Sequence, residues 1–353
     1  MHLLDSEKNF RRIDREDAIR AFELLPAQAR EAWRGAENFK TGALKNIRRI
    51  VVSGMGGSAL GPQVIRSVYR DRFRVPVEIV NGYALPGGVG PDTLVVLSSY
   101  SGTTEETLAT AVEARRRKAK LLGICAGGPL AALLKKYQAP VYVFSAKKNP
   151  GNRPRLALGY SIFGLLGLFA SAGLLSGIKD DVELAITALA SAVRRYGPKN
   201  GFTKNPAKRL AVALDKTMPV YVGAEHLEGN AHALANQTNE TGKQFAAWFP
   251  IPELNHHLME GLAHPAGKKN LAFVFLKSKA YSPRVQKRFA LTDEVVRRNN
   301  VKTFAFESAA KNKLAAALDT LAFGGALTYY LGILHRENPS PNPWVDYFKK
   351  RLA

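Results

Sequence analysis

Residues 48–61 read RRIVVSGMGGSALG, a β-branched run that ends in glycine and continues with a helical pattern from about Ala59. The same succession of apolar run and helix continues toward the C-terminus through PVEIV (76–80), TLVVLSSYSG (93–102), AKLLGICAGG (119–128) and APVYVFS (139–145). Uninterrupted Val, Ile and Leu runs that alternate with helices are typical of a parallel sheet covered by helices on both faces. The first half of the chain is therefore predicted to be a doubly wound α/β domain.

The second half repeats this order of elements without clear sequence identity. MPVYVGAEHLEG (218–229) again reads strand, turn and helix, and it is followed by strands at 270–278 and 301–308 and a long apolar helix at 313–334. A charged stretch with Pro and Gly, 194–208, is the predicted boundary. We expect an α/β protein with two doubly wound parallel-sheet domains, made up of an N-terminal helical arm (1–44), the two domains (45–195 and 205–335) and a C-terminal turn and helix (336–353).

A membrane location is not favoured by the sequence. Residues 156–178 carry no charge, but glycine and serine dilute their apolar character, which favours a buried helix or a helix at a subunit interface. Residues 1–17 contain acids and no apolar core, so they do not resemble a targeting signal. The single cysteine, Cys125, excludes an intramolecular disulfide and indicates a reducing compartment. A cytoplasmic protein is predicted.

The charge balance is unusual: 51 Lys and Arg against 29 Asp and Glu give 353 residues a formal net charge of +22. Such a balance is typical of nucleic-acid or anionic-membrane binders, and it also suits an enzyme of phosphorylated substrates. Between Leu108 and Arg155 the only acid is Glu113, against eleven bases, and aromatic residues that could stack on bases are few. We interpret this segment as a solvated basic face, with no specific nucleic-acid partner.

The first glycine loop admits a dinucleotide interpretation. Gly54, Gly56 and Ala59 fit the spacing of the Rossmann fingerprint, and Glu78 stands where the ribose-binding acid is expected. However, Glu78 falls inside the strand PVEIV rather than at its carboxyl end, and a second anion-binding loop follows the third strand. The sequence therefore predicts no nicotinamide cofactor.

That second loop, Ser98–Thr107, favours a phosphate monoester. Its first seven residues contain five hydroxyl side chains around a glycine and open a helix, where free N–H groups and the helix dipole attract a dianion. Thr103 and Glu106 could form a capping box, which would explain one hydroxyl but not five. With Ser58 converging from the neighbouring strand end, a phosphate site is predicted.

Four motifs in order resemble the bifunctional phosphoglucose/phosphomannose isomerase family of SIS (sugar isomerase) domain proteins. They are SGMGGSALG (53–61), SSYSGTTEET (98–107), the stretch 220–261 around NETGK and PELNHH, and NPWVDYFKKRL (342–352). The resemblance implies two SIS domains and interconversion of glucose 6-phosphate and mannose 6-phosphate with fructose 6-phosphate through an enediolate. It also implies a homodimer that uses neither a metal nor a cofactor.

The resemblance further implies roles for individual residues. Glu240 matches the family's catalytic base, and His256 matches the ring-opening histidine, which the partner subunit contributes. Lys349 matches a lysine near the ring oxygen, and Arg155 matches the arginine that holds the enediolate oxygens. The matched phosphate-binding residues are Gly57, Ser58, Ser99, Ser101 and Thr104.

Two positions depart from the family pattern. Asn342 stands where bifunctional members carry a threonine that helps accept the C2 epimer, which makes it a candidate specificity residue. His257 replaces an asparagine common after the catalytic histidine. A glucose 6-phosphate isomerase with little mannose 6-phosphate activity is thus an alternative.

Other functions remain open from the residues. A non-catalytic SIS-type sensor of sugar phosphates needs the hydroxyl loops but not Glu240, His256 and Lys349 together. A nucleic-acid binder rests on charge alone, and a related SIS enzyme could act on an amino sugar or a pentose phosphate. A zinc site is disfavoured because His256, His257 and Glu260 do not form the HExxH motif or its inverse.

Overall fold

The computed structural model describes residues 3–42, 44–264 and 266–352, which form two parallel β-sheets. The first sheet contains β1 (Arg49–Ser53), β2 (Val77–Val80), β3 (Thr93–Ser98), β4 (Lys120–Cys125) and β5 (Val141–Val143). The strands lie in the order β2-β1-β3-β4-β5, and all neighbours are parallel. All six residues of β3 are buried, which explains its continuous apolar run.

The second sheet contains β6 (Met218–Gly223), β7 (Ala247–Pro250), β8 (Leu271–Lys277) and β9 (Lys302–Glu307). Its order, β7-β6-β8-β9, repeats that of the first four strands of the first sheet, again with all neighbours parallel. The predicted fold class, two doubly wound parallel-sheet domains, is confirmed. The strand β7 was not predicted, because its four half-buried residues, AWFP, include no β-branched side chain.

Helices connect the strands and cover both sheets. In chain order they are α1 (Glu7–Ile13), α2 (Ala18–Glu23), α3 (Leu25–Ala36), α4 (Gly57–Tyr69), α5 (Glu105–Arg116), α6 (Gly128–Lys136), α7 (Leu158–Ser171), α8 (Lys179–Tyr196), α9 (Pro206–Leu214), α10 (Glu228–Glu240), α11 (Leu254–His257), α12 (Pro283–Arg298), α13 (Lys313–Leu334) and α14 (Pro343–Leu352).

The apolar stretch 156–178 forms a buried helix, as predicted, but a shorter one. α7 ends at Ser171, and the chain then turns through Gly173, whose φ of 70° lies in the left-handed region that ends a helix. Small residues do permit close approach, since a Cβ on Gly159 would lie 2.8 Å from the Leu25 carbonyl oxygen of α3. The glycines of α7 therefore serve packing against the N-terminal helices.

Among the described residues, α13 is the helix long and apolar enough to cross a membrane by length and composition. Of its most apolar window, 89% is buried inside the structure. It contacts α8 and α9 as well as α10, so it occupies the position of a core helix between the two halves. Burial of this kind accounts for its composition without a membrane.

The N-terminal helices are packed into the molecule. The ammonium of Lys208, on α9, is fully buried; it lies 2.9 Å from an Asp5 carboxylate oxygen and above the rings of Phe10 and Tyr330. An ion pair combined with cation–π contacts compensates the burial of this charge.

The four-segment division of the chain stays a prediction, and its terminal segments include Met1, His2, Ala43 and Ala353, which lie outside the described residues.

Candidate active site

Two loops meet at the carboxyl edge of the first sheet. β1 and β3 are neighbours, β1 leads into α4, and β3 leads into α5. Because the carboxyl ends of parallel strands lie on one edge, the N-termini of both helices point toward the same space. Each supplies free backbone N–H groups and the positive end of a helix dipole, which suits an anion.

The predicted hydroxyl side chains connect the two loops. Ser58 Oγ accepts a hydrogen bond from the Tyr100 N–H at 2.9 Å, and Ser98 Oγ donates to the Ser58 carbonyl at 2.8 Å. Ser99 Oγ and Thr104 Oγ1 are 2.8 Å apart, while Ser101 is exposed and pairs with Thr103. The structure thus brings Ser58, Ser99 and Thr104 into one cluster, with Ser101 at its rim.

Helix capping does not account for these hydroxyls. Thr104 is the N-cap residue of α5, and its side chain makes no capping hydrogen bond to the helix. Its hydroxyl instead faces Ser99 across the loop, at the mouth of the helix. The arrangement leaves the first N–H groups of α5 without a side-chain acceptor from this residue, as an anion site requires.

Gly57 brings the first loop against the segment that carries Arg155. A Cβ at position 57 would lie 2.7 Å from the Arg155 backbone nitrogen and 2.9 Å from the Pro154 carbonyl carbon. Only glycine permits this approach without displacing the backbone. The phosphate loop and the arginine are therefore neighbours, although about a hundred residues separate them in the chain.

Arg155 is the structural centre of the site. Its side chain is 1% exposed; Nε donates to Thr241 Oγ1 at 2.7 Å, and Nη1 donates to Glu240 Oε2 at 3.1 Å. Nη2 donates to two carbonyl oxygens of the turn before α14, those of Pro339 and Ser340, each at 2.7 Å. Burial lowers the pKa of the guanidinium, and the charge of Glu240 opposes that shift.

Glu240 is the last residue of α10 and remains accessible. Its side chain is 29% exposed, and Oε2 accepts hydrogen bonds from Arg155 and, at 2.6 Å, from Nδ2 of Asn342. The candidate specificity residue therefore contacts the candidate base directly. A carboxylate held by two donors beside an edge suited to anions can transfer protons on a phosphorylated ligand.

Lys243 is a further charged group at this point. Its Nζ donates to the Glu240 carbonyl oxygen at 2.6 Å, to the Pro341 carbonyl oxygen, and to Asn342 Oδ1 at 3.4 Å. Burial, followed by the charge of Arg155, lowers the pKa of Lys243 to about 8. Lys243, Thr241 and Gln237, which donates to the Arg155 carbonyl oxygen at 3.1 Å, were not predicted, although the first two belong to the quoted NETGK motif.

The two remaining predicted residues are exposed to solvent. His256 is exposed on the four-residue α11, and Lys349 is exposed on α14, a helix with no buried residue. Within the described ranges, neither forms a hydrogen bond or ion pair with Glu240 or Arg155. The structure therefore does not bring either residue into hydrogen-bond contact with the cluster around Arg155.

The structure also bears on the dinucleotide interpretation. Glu78 lies inside β2 and forms an ion pair with Arg49 of the adjacent β1, so its carboxylate already has a partner. In the part of the chain that the structure describes, no three His, Cys, Asp or Glu side chains lie together as metal ligands.

Comparison with known families covers both halves. A model of the SIS domain matches residues 43–135, and a model of the bacterial phospho-glucose isomerase C-terminal SIS domain matches residues 203–352. These ranges contain the hydroxyl loops and the Glu240 segment, respectively. The chain is thus built from two SIS units, as the resemblance implied.

Among solved structures, a hypothetical protein of Thermus thermophilus superposes with a TM-score of 0.73 at 19% identity, covering 98% of this chain and 94% of that one. A glucose-6-phosphate isomerase like protein of the same organism gives a TM-score of 0.61 at 18% identity, with 97% and 99% covered. At such identities the likeness concerns the fold.

Curated relatives that bear the name bifunctional phosphoglucose/phosphomannose isomerase include proteins of Thermoplasma acidophilum and Caldicellulosiruptor bescii. The protein of Thermoplasma acidophilum is 27% identical over 90% of this chain and 92% of its own length. That of Caldicellulosiruptor bescii is 31% identical over 93% of this chain and 97% of its own length. By this likeness along nearly the whole chain, the protein belongs to the bifunctional phosphoglucose/phosphomannose isomerase family.

Proposed function

We propose that this protein is an aldose–ketose isomerase that interconverts glucose 6-phosphate and mannose 6-phosphate with fructose 6-phosphate. The observation that carries the proposal is the continuous contact from the hydroxyl loops to a carboxylate. Gly57 abuts the backbone of Arg155, and the Arg155 guanidinium lies 3.1 Å from Glu240 Oε2. A phosphate site and a base are thus joined through one buried cation, and the names of the relatives support these substrates.

Glu240 moves the proton in this mechanism. Its carboxylate takes the proton from C2 of the open-chain aldose, and the C–H electron pair forms the C1–C2 double bond of an enediolate whose charge rests on O1. The protonated Glu240 then returns the proton to C1, and the O2 hydroxyl proton passes to O1, which leaves the ketone at C2. Glucose and mannose 6-phosphates differ only at C2, so both give the same planar enediolate.

Charge on the enediolate is stabilised electrostatically. The buried Arg155 side chain is held by hydrogen bonds to Thr241 and to the carbonyl oxygens of Pro339 and Ser340. The guanidinium therefore does not have to move during the reaction. A fixed positive charge in such a position is most effective where charge develops. Ser58, Ser99, Ser101 and Thr104, with the backbone at Gly57, hold the phosphate in this proposal.

Ring opening is assigned to His256 and Lys349 of a homodimer. Three aromatic side chains of α14 are unusually open to solvent in the single chain: Trp344 is 83% exposed, Tyr347 60% and Phe348 62%. An exposed aromatic surface of this kind supports contact with a second copy. His256 then reaches the site from the partner subunit.

The cytoplasmic location, the absence of a required metal and the role of Asn342 in substrate preference stay predictions.

The base assignment is tested with Glu240→Gln in a coupled isomerase assay on purified protein. We expect kcat on glucose 6-phosphate to fall at least about 10²-fold, while KM changes only a few-fold, because an amide cannot accept the C2 proton. Glu294→Gln, at an exposed carboxylate on α12, is the matched control and keeps wild-type turnover. A chelator included in the assay leaves wild-type activity unchanged.

The same assay separates the alternatives. Wild-type turnover in Glu240→Gln would overturn the base assignment. A wild-type protein that binds sugar phosphate without turnover is a non-catalytic sensor, and one that turns over glucose 6-phosphate alone is a phosphoglucose isomerase with Asn342 as the candidate reason. Parallel measurements with mannose 6-phosphate distinguish this last outcome from the bifunctional isomerase.

A further inference from the structure

The side chain of Asn342 bridges two charged residues of the site. Its Nδ2 donates to Glu240 Oε2 at 2.6 Å, and its Oδ1 accepts from Lys243 Nζ at 3.4 Å. An ammonium can only donate, so Lys243 requires the oxygen end of the amide and thereby directs the nitrogen end toward the carboxylate. Lys243 therefore determines which way Asn342 is oriented.

Lys243 is itself held by the protein at every donor. Its ammonium has three N–H groups, and its three acceptors are the carbonyl oxygens of Glu240 and Pro341 and the amide oxygen of Asn342. No N–H remains for a substrate, so Lys243 is a positioning residue and not a catalytic one. Its backbone φ of 54° lies in the left-handed region, a conformation that occurs more often where function requires it.

The two oxygens of Glu240 are treated differently by these contacts. Oε2 receives both donors, Arg155 Nη1 at 3.1 Å and Asn342 Nδ2 at 2.6 Å. Among residues 3–42, 44–264 and 266–352, no hydrogen bond reaches Oε1. With Oε2 anchored from two directions, the carboxylate has one preferred orientation, and its free lone pairs are those of Oε1.

We propose that Lys243 and Asn342 form a positioning pair that fixes Glu240 through Oε2 and leaves Oε1 to carry the proton between C2 and C1. This proposal rests on the isomerase function proposed above and assigns two further residues to it. Proton transfer depends steeply on the distance and angle between the base and the carbon, so freeing the carboxylate slows the chemical step more than it weakens binding.

The charges around Lys243 imply a pH dependence. Arg155 and Arg153 disfavour its charged form, Glu240 and Glu337 favour it, and burial has the largest effect. On the adjacent residue, the Gly242 carbonyl oxygen contacts His335, which in turn lies 3.3 Å from Asp215. With a pKa of about 8, Lys243 loses a proton above that pH and with it one of its three N–H donors, so activity should decline on the alkaline side.

The test measures kcat, KM and pH profiles of single variants. For Lys243→Met and Asn342→Ala we expect kcat to fall about 10- to 100-fold with KM changed less than about threefold. Asn342→Asp, which keeps the shape but cannot donate to Glu240, should fall similarly. Lys243→Arg should retain more activity than Lys243→Met and lose the alkaline decline, because a guanidinium stays charged. The control is Lys287→Met, an exposed lysine of α12.

Thermal unfolding of each variant distinguishes loss of the fold from misplacement of the Glu240 carboxylate, and Asn342→Asp is the variant that changes side-chain size least. Suppose that wild type is active and Glu240→Gln is inactive, but that Asn342→Asp and Lys243→Met match wild type. The positioning role of Lys243 and Asn342 is then contradicted, while the proposed function stands. An alkaline decline that persists unchanged in Lys243→Arg also contradicts the pair. If the wild type itself shows no isomerisation, the proposed function fails and the pair fails with it.

Discussion

Arg155 joins three segments that are distant in sequence. It lies before α7, and its guanidinium contacts Thr241 after α10 and the carbonyl oxygens of Pro339 and Ser340 before α14. Glu240 Oε2 is a fourth acceptor, and a planar fork with five N–H donors can satisfy all four at once, whereas the three N–H groups of a lysine cannot. The residue expected to bind the enediolate is therefore also a structural connection between the two halves.

Arg155→Lys should accordingly reduce both stability and activity. We expect the free energy of unfolding to fall by about 3 kcal/mol, because the substitution leaves buried acceptors unpaired. Urea unfolding monitored by circular dichroism measures the change, and Arg298→Lys, at an exposed helical ion pair, is the control that stays at the wild-type value. A stable Arg155→Lys protein that has lost only activity would show that the arginine serves catalysis alone.

Helices α4 and α10, one from each half, pack with their backbones in close contact. A Cβ at Gly229 of α10 would lie 2.6 Å from the Gln63 carbonyl oxygen of α4, and the Gly229 N–H donates to Ser67 Oγ at 3.0 Å. These contacts fix the position of α10 relative to the first sheet. Since Glu240 ends α10, the same packing places the base beside Arg155.

Gly229→Ala should therefore destabilise the protein by about 1–3 kcal/mol through overpacking, although alanine is ordinarily the better helix former. Because helix propensity alone would make this substitution stabilising, a loss of stability indicates overpacking between the two helices. Denaturant unfolding gives the free energy, and Gly201→Ala, where an added Cβ has no atom within 4 Å, is the control with little effect. A Gly229→Ala protein as stable as wild type would mean that the two helices can separate without cost.

Strands and helices could be predicted wherever their pattern was local. The Val and Leu runs of β1 and β3 are buried on both sides and thus carry a strong signal. The four residues of strand β7 carry no such signal. The end of α7 depends on the left-handed turn at Gly173, which an apolar pattern does not reveal. In both missed features, the secondary structure is decided by a neighbouring strand or by one backbone angle, and not by the amino-acid composition of the segment.

Part of the net charge of +22 lies between Leu108 and Arg155, the segment expected to form a solvated basic face. Lys148 forms an ion pair with Glu31 of α3, and Arg153 lies 3.3 Å from Glu16, which precedes α2. Arg116, by contrast, is 78% exposed. Most bases of the segment are exposed, and Lys148 and Arg153 in addition hold the N-terminal helices.

The proposed homodimer predicts that two inactive variants can restore activity in a mixed dimer. Glu240→Gln and His256→Ala should each be inactive, yet an equimolar mixture refolded together should regain about a quarter of wild-type activity, because half of the dimers are mixed and each has one intact site. Mixing Glu240→Gln with Arg155→Lys should restore nothing, since both residues belong to the same chain's site. Mixed dimers without activity, or a monomer in light scattering, would contradict a histidine supplied by the partner.

The chain's local patterns were sufficient for the parallel α/β architecture and the two hydroxyl loops, because hydrophobic runs, turn glycines and helix starts act between near neighbours. Glu240 was identified by the resemblance of its motif to a known family. The site as a whole came only from tertiary packing. Gly57, Arg155, Lys243 and Asn342 meet because two sheets and their helices fix distant segments against one another. Contacts between distant segments depend on how complete elements pack, and no periodicity within one element records that geometry.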